Sequence, residues 1–240
     1  MFSAVNNNEK SMFVHVLKNG GTYVKNVLSK YYKFGGTISI DLKNSARIRS
    51  PISDRSMYVS SLLLIYTSDR YKDYNKFAFT RDPYTKFISG VNFIQKTSTT
   101  ENPNRQIPIY EKFIGMTISD FITDKDKIPI NMYNHIFITQ TNVLYFENVL
   151  QVNSLYKFEN LAEDLATLTN TFVNDNYGVV DYVNDPELKK NESVNETPFY
   201  LQYDETIFNF VNEWFADDFI NFGYTKFNTF QDFLNHYSSK

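Results

Sequence analysis

Ten residues, Phe13–Thr22 (FVHVLKNGGT), restrict this chain more than any others. Ser11–Leu17 is apolar and rich in β-formers, so it reads as a buried strand. It runs into a glycine turn, Lys18–Thr22. Apolar side chains then recur at Tyr23, Val24, Val27, Leu28 and Tyr31, the spacing of an amphipathic helix. A strand, a turn and a helix in this order form a cradle for an anion. Gly20 and Gly21 let the backbone come close to a bulky group. The first N–H groups of the helix point at that group, and the helix dipole favours negative charge there. Lys18 adds a mobile cation and Thr22 a hydroxyl, so Lys18, Asn19, Gly20, Gly21, Thr22 and Tyr23 are the candidate phosphate- or phosphosulfate-binding residues. A plain glycine turn with a solvated lysine fits the same letters. The nucleoside-triphosphatase pattern G-x-x-x-x-G-K-[ST] is absent, because here the lysine precedes the glycines.

The rest of the chain reads as strands alternating with helices, the pattern of a parallel sheet with helical crossovers. Strands are expected at Lys76–Thr80 and Ser154–Phe158, with another at Thr37–Leu42. Helices are expected from Asp82, with Asp as N-cap and Pro83 in the first helical position, and over Ile118–Ile122, Glu159–Phe172, Asp204–Phe215 and Phe227–Tyr237. Ser56–Tyr66 is ambiguous, and the polar stretch Lys96–Pro108 reads as a long loop suited to substrate binding. The expected fold is α/β: a P-loop-type three-layer arrangement with a central parallel sheet flanked by helices. The 240 residues suit one domain spanning 1–240.

Composition narrows the function. The net charge of −3 argues against a nucleic-acid-binding surface. With no cysteine there is no disulfide, thiolate metal site or cysteine nucleophile. Met1–Lys10 lacks the apolar core of a signal peptide, and the aliphatic run 62–65 is far too short to span a bilayer, so a cytoplasmic protein without a membrane span is expected. The sequons at Asn191 and Asn195 read as chance in an Asn-rich chain. The 22 Phe and 18 Tyr carry no functional weight singly.

A second motif lies downstream. Lys76–Gly90 (KFAFTRDPYTKFISG) places Arg81 at a strand end and Ser89 about two turns into the next helix. A guanidinium fork suits a phosphate; a surface ion pair is the ordinary alternative for Arg81 taken alone. Together the two segments resemble the donor-binding motifs of sulfotransferases that use 3′-phosphoadenosine 5′-phosphosulfate (PAPS), and most nearly the carbohydrate, Golgi-type members. Leu17 and Asn19 stand where those members often carry proline and threonine, and their membrane anchors and cysteines are missing. Asn134–Leu144 (NHIFITQTNVL), Tyr156–Leu165 (YKFENLAEDL) and Val211–Tyr224, ending in DFINFGY, echo the same family in the same order.

The resemblance implies that Arg81 and Ser89 bind the 3′-phosphate of PAPS and that a sulfuryl group moves to a hydroxyl on a carbohydrate or another acceptor, leaving 3′-phosphoadenosine 5′-phosphate (PAP). In this reading Lys18 and the loop amides stabilise charge on the leaving phosphate oxygen, with no metal required. The base that takes the acceptor proton is open. His135 is the best histidine candidate, while Asp41, Asp54 and Glu111 offer carboxylates. His15, inside the first strand, reads as a structural or loop-supporting residue, His236 as solvated, and Glu159 as a helix-start residue. The competing functions are a small kinase or other P-loop transferase, a non-catalytic nucleotide- or carbohydrate-binding protein on the same scaffold, and sulfation of tyrosine or a small molecule.

Overall fold

A computed structural model describes residues 4–37, 65–99, 113–171, 185, 188 and 197–239. They gather into two compact units, each built from two stretches of chain: Met1–Arg81 with Asn142–Ser193, and Asp82–Thr141 with Val194–Lys240.

The first unit holds a five-stranded sheet. Its strands are β1 (Ala4–Asn6), β2 (Ser11–Phe13), β3 (Gly35–Thr37), β4 (Asn75–Thr80) and, after the short hairpin of β5 (Tyr145–Phe146) and β6 (Val149–Leu150), β7 (Ser154–Lys157). The spatial order is β3-β1-β2-β4-β7. β2, β4 and β7 run parallel, with Phe13 beside Phe77 and Phe79 beside Tyr156. β1 is antiparallel to both its neighbours, β2 and β3. The expected parallel sheet is therefore present at the centre, and a hairpin extends it with antiparallel strands at one edge. The hairpin turns because the Asn6 side-chain oxygen accepts the N–H groups of Asn8 and Glu9 at 3.0 and 3.1 Å, and Lys10 takes a left-handed φ of 45°.

One face of this sheet carries an aromatic row. The Phe13 and Phe77 rings lie 5.7 Å apart, and those of Phe79 and Tyr156 lie 5.4 Å apart. Helix α1 (Gly21–Tyr31) buries Val24, Val27 and Leu28 in the same core, and the helix Leu161–Asn170 adds Leu165 and Leu168. Alternate residues of β4 point the other way, and Ala78 and Thr80 are buried as well. Burial on both faces explains why β4 reads as a continuous apolar run.

The second unit is helical. The helix Pro83–Thr99 starts as expected, with the Asp82 carboxylate accepting the N–H groups of Tyr84 and Thr85 at 2.9 and 3.2 Å. Ile118–Thr123, Ile130–Ile136, Glu205–Trp214, Ala216–Phe222 and Phe230–Ser238 follow. Its core is aromatic: Tyr84, Phe87, Phe121, Phe137, Phe208, Phe215 and Phe233 are buried. Much of the Phe and Tyr content is thus packing, with aromatic pairs worth roughly 0.5–1.5 kcal/mol each beyond the area they bury. Among the described residues no helix is long and apolar enough to cross a membrane. The expected strand at 37–42, the 56–66 segment and most of the 96–108 loop lie outside the described residues, apart from their ends; Lys96–Thr99 continue the Pro83 helix.

Candidate active site

Three neighbouring parallel strands each deliver one part of the site at their carboxyl ends, where open α/β sheets bind ligands. β2 leads into the loop 14–20, β4 leads into Arg81, and β7 leads into Phe158. The strand order, β2-β4-β7, makes these three parts neighbours although they are far apart in the chain.

The loop is held tightly. Lys18 and Gly20 both take left-handed conformations, with φ of 68° and 71°. For Gly20 this costs nothing; for Lys18 it costs about 1 kcal/mol, which the surrounding contacts offset. Asn19, 1% exposed, turns inward and donates its side-chain N–H to the Phe79 carbonyl at 2.7 Å. That bond ties the loop to β4. At Gly21 a Cβ would lie 1.9 Å from the His15 ring, so only glycine fits there. His15 therefore supports the loop from beneath. Burial, helped by the nearby positive charges of Lys25 and Lys18, pushes its pKa down to about 4, so the imidazole is neutral near pH 7.

Helix α1 begins without a side-chain cap and without an acidic residue in its first turn. The amides of Gly21, Thr22 and Tyr23 belong to the groups that a helix start leaves without an intrahelical acceptor. They are suited to an anion, and no carboxylate of that turn competes for the position. Thr22 is exposed, and Lys18 and Tyr23 are half-buried.

Arg81 joins this loop. Its guanidinium donates to the Lys18 carbonyl at 2.8 Å and lies 4.3 Å from the centre of the Phe158 ring. The Phe158 and Leu161 side chains also rest against Gly20. The two strongest sequence motifs thus meet, and the YKFENL segment folds onto both. Phe158 is a residue that sequence reasoning passed over; a stack on Arg81 leaves no trace in its own local pattern. Glu159 sits exposed in a single 3₁₀ turn ahead of the Leu161 helix.

Ser89 and His135 lie in the second unit. Ser89 is half-buried on the Pro83–Thr99 helix. His135 is half-buried near the end of Ile130–Ile136, its ring 4.4 Å from that of Phe93. The two helices pack closely: a Cβ at Gly90, next to Ser89, would come within 2.3 Å of the His135 carbonyl oxygen. Asp41, Asp54 and Glu111 fall outside the described residues.

The two remaining echoes also meet. Asp218, the first residue of DFINFGY, is fully buried and accepts the N–H groups of Gln140 and Thr141, both at 2.8 Å, together with the Thr141 hydroxyl at 2.8 Å. Burial raises its pKa, while the Lys86 charge and these three bonds oppose the rise. Lys86, also fully buried, donates to the Ile138 carbonyl at 2.6 Å. An acid and a base from separate helices thus fix the 138–141 turn. Neither was foreseen, because Lys86 and Asp218 look like surface residues in sequence. Their burial deep in a helical unit is a tertiary fact.

The chain belongs to the sulfotransferase family, whose model matches residues 3–225. Sulfuryl transfer is its reaction class, and a hydroxyl-bearing molecule is the acceptor that class implies. No curated protein and no solved structure matches the chain.

Proposed function

We propose that this chain is a single-domain, PAPS-dependent sulfotransferase acting on a carbohydrate hydroxyl. The observation that carries the donor assignment is the hydrogen bond from Arg81 to the Lys18 carbonyl. It places a cation beside a glycine loop whose helix amides already favour an anion. The cradle suits the donor: glycine lets the backbone approach, the amides receive phosphate oxygens, Lys18 stands on the loop, and Arg81 is bonded to it from the end of β4. The family match runs through the sequence of both units, which favours one domain over two independent ones.

In this reading the acceptor oxygen attacks sulfur, a new O–S bond forms, and the bond from sulfur to the 5′-phosphate oxygen breaks. The electron pair stays on that oxygen. Lys18 and the Gly21–Tyr23 amides stabilise the charge developing there. Arg81 and Ser89 are assigned to the 3′-phosphate, and His135 to the acceptor proton. Asn19 acts indirectly by fastening the loop to Phe79. The carbohydrate preference rests on the NHIFITQTNVL and DFINFGY echoes, which Asp218 links.

Thermal denaturation with PAP, ATP or AMP tests the donor. A ligand selective for the native state, at about 100 times its Kd, adds about 2.7 kcal/mol. PAP is expected to raise Tm, with ATP and AMP much weaker; an equal or larger rise with ATP would overturn the assignment. Lys18→Ala is expected to slow transfer by about 10²–10³, the range seen when one donor to a developing oxyanion is removed. Full activity in that variant would refute its role.

A further inference from the structure

The family match ends at residue 225, yet the helix Phe230–Ser238 reaches back to the second donor motif. The Tyr237 hydroxyl donates to the Asp82 carboxylate at 2.6 Å. Asp82 directly follows Arg81 and caps the helix that carries Ser89. One of its oxygens accepts the amides of Tyr84 and Thr85, and the other accepts Tyr237. The corner is closed further by Tyr203, which donates to the Tyr84 carbonyl at 2.9 Å, and by Asn212, whose side-chain oxygen accepts the Tyr84 hydroxyl at 2.6 Å. Tyr237 is itself held in place, its ring 4.7 Å from Phe199 and 5.1 Å from Phe233.

We propose that the C-terminal helix is a positioning element for donor binding, acting through the hydrogen bond from Tyr237 to Asp82. The physical case is directional. A capping carboxylate with one oxygen on two amides can still rotate about its side-chain torsions. A short bond from a fixed phenol to its other oxygen removes that freedom. The first turn of the helix, and with it the Arg81-Asp82 peptide and the start of the path to Ser89, is then set before the nucleotide arrives. Affinity gained by preorganisation appears in binding of the donor, not of the acceptor. This inference rests on the donor reading given above.

The test is PAP affinity by calorimetry, with steady-state kinetics, on wild type, Tyr237→Phe, Asp82→Asn, the double variant and Phe230→Leu. Phe230 packs on Phe233 in its own helix and on Phe208 of the helix Glu205–Trp214, and Asp82 is not among its ring contacts, so it reports on packing alone. Tyr237→Phe is expected to weaken PAP binding about 5- to 10-fold and to raise the donor KM alike, with the acceptor KM unchanged. Asp82→Asn keeps a capping side chain, and the double variant is expected to be no weaker than the worse single one. Phe230→Leu is expected to lower Tm and leave PAP affinity as it was. Wild-type PAP affinity in Tyr237→Phe overturns the inference while the donor reading stands. An equal loss of affinity in Phe230→Leu overturns it too, by showing that packing is the cause. A wild-type chain that does not bind PAP overturns the donor reading and this inference together.

Discussion

At the scale of single residues, His15 and Gly21 form a complementary pair. The ring occupies the space where any side chain at 21 would go. Gly21→Ala is therefore expected to cost about 1–3 kcal/mol in urea unfolding, as overpacking does, and to abolish PAP binding. Adding His15→Ala should recover much of the stability, because it removes the obstructing ring. The same histidine gives a pH signature. Its folded pKa of about 4 lies below the ordinary 6.5 of a free imidazole, so above pH 6.5 both folded and unfolded chains hold a neutral imidazole. As pH falls below 6.5, the unfolded chain takes up a proton that the folded chain refuses, and stability declines until about pH 4. The loss amounts to about 3 kcal/mol at most, at about 1.4 kcal/mol per pKa unit. Urea titrations across this window should show that slope in wild type and a flatter one in His15→Gln.

At the scale of elements, some boundaries could be read directly and others could not. Asp82-Pro83 announces a helix start, and the start lies there, because capping is a local bond between a side chain and the next two amides. The first strand, by contrast, was expected over Ser11–Leu17 and spans only Ser11–Phe13; the chain leaves the sheet early to build the loop. The strand Ala4–Asn6 was missed, since three residues give too short a pattern and its place between β3 and β2 depends on both of them. The turn at 138–141 depends on Asp218 and Lys86, which arrive from distant helices. Asp218→Ala leaves the buried Gln140 amide and the half-buried Thr141 amide without their acceptor and the buried Lys86 ammonium without its nearby anion. The expected cost is about 3–5 kcal/mol, measured as a lower urea midpoint, and Asp218→Asn should cost less because an amide oxygen still accepts.

At the scale of the whole molecule, each compact unit draws on two separate stretches of chain. Neither can therefore be isolated by one cut. A chain ending at Thr141 lacks β7, so β4 loses the neighbour that pairs along Phe77–Thr80, and the first core loses Leu165 and Leu168. Such a fragment is expected to lack cooperative thermal unfolding by circular dichroism and to show no rise in Tm with PAP. Adding residues 142–240 as a separate chain tests whether the interleaving alone is the obstacle; recovery of a PAP-dependent transition would show that the second stretch carries what is missing.

The letters from 13 to 22 and from 76 to 90 were enough to point to the family the chain belongs to, because a glycine loop before a helix and an arginine at a strand end are local patterns that the sequence displays without its distant residues. They also determined the α/β class, through the alternation of strand and helix periods. Only the tertiary structure decided which residues surround those motifs. Strand order brought Phe158 onto Arg81, helix packing buried Lys86 and Asp218, and the last helix carried Tyr237 to Asp82. Each of these is a meeting of residues far apart in the chain. Periodicity encodes which face of an element is buried, but not which distant partner it is buried against.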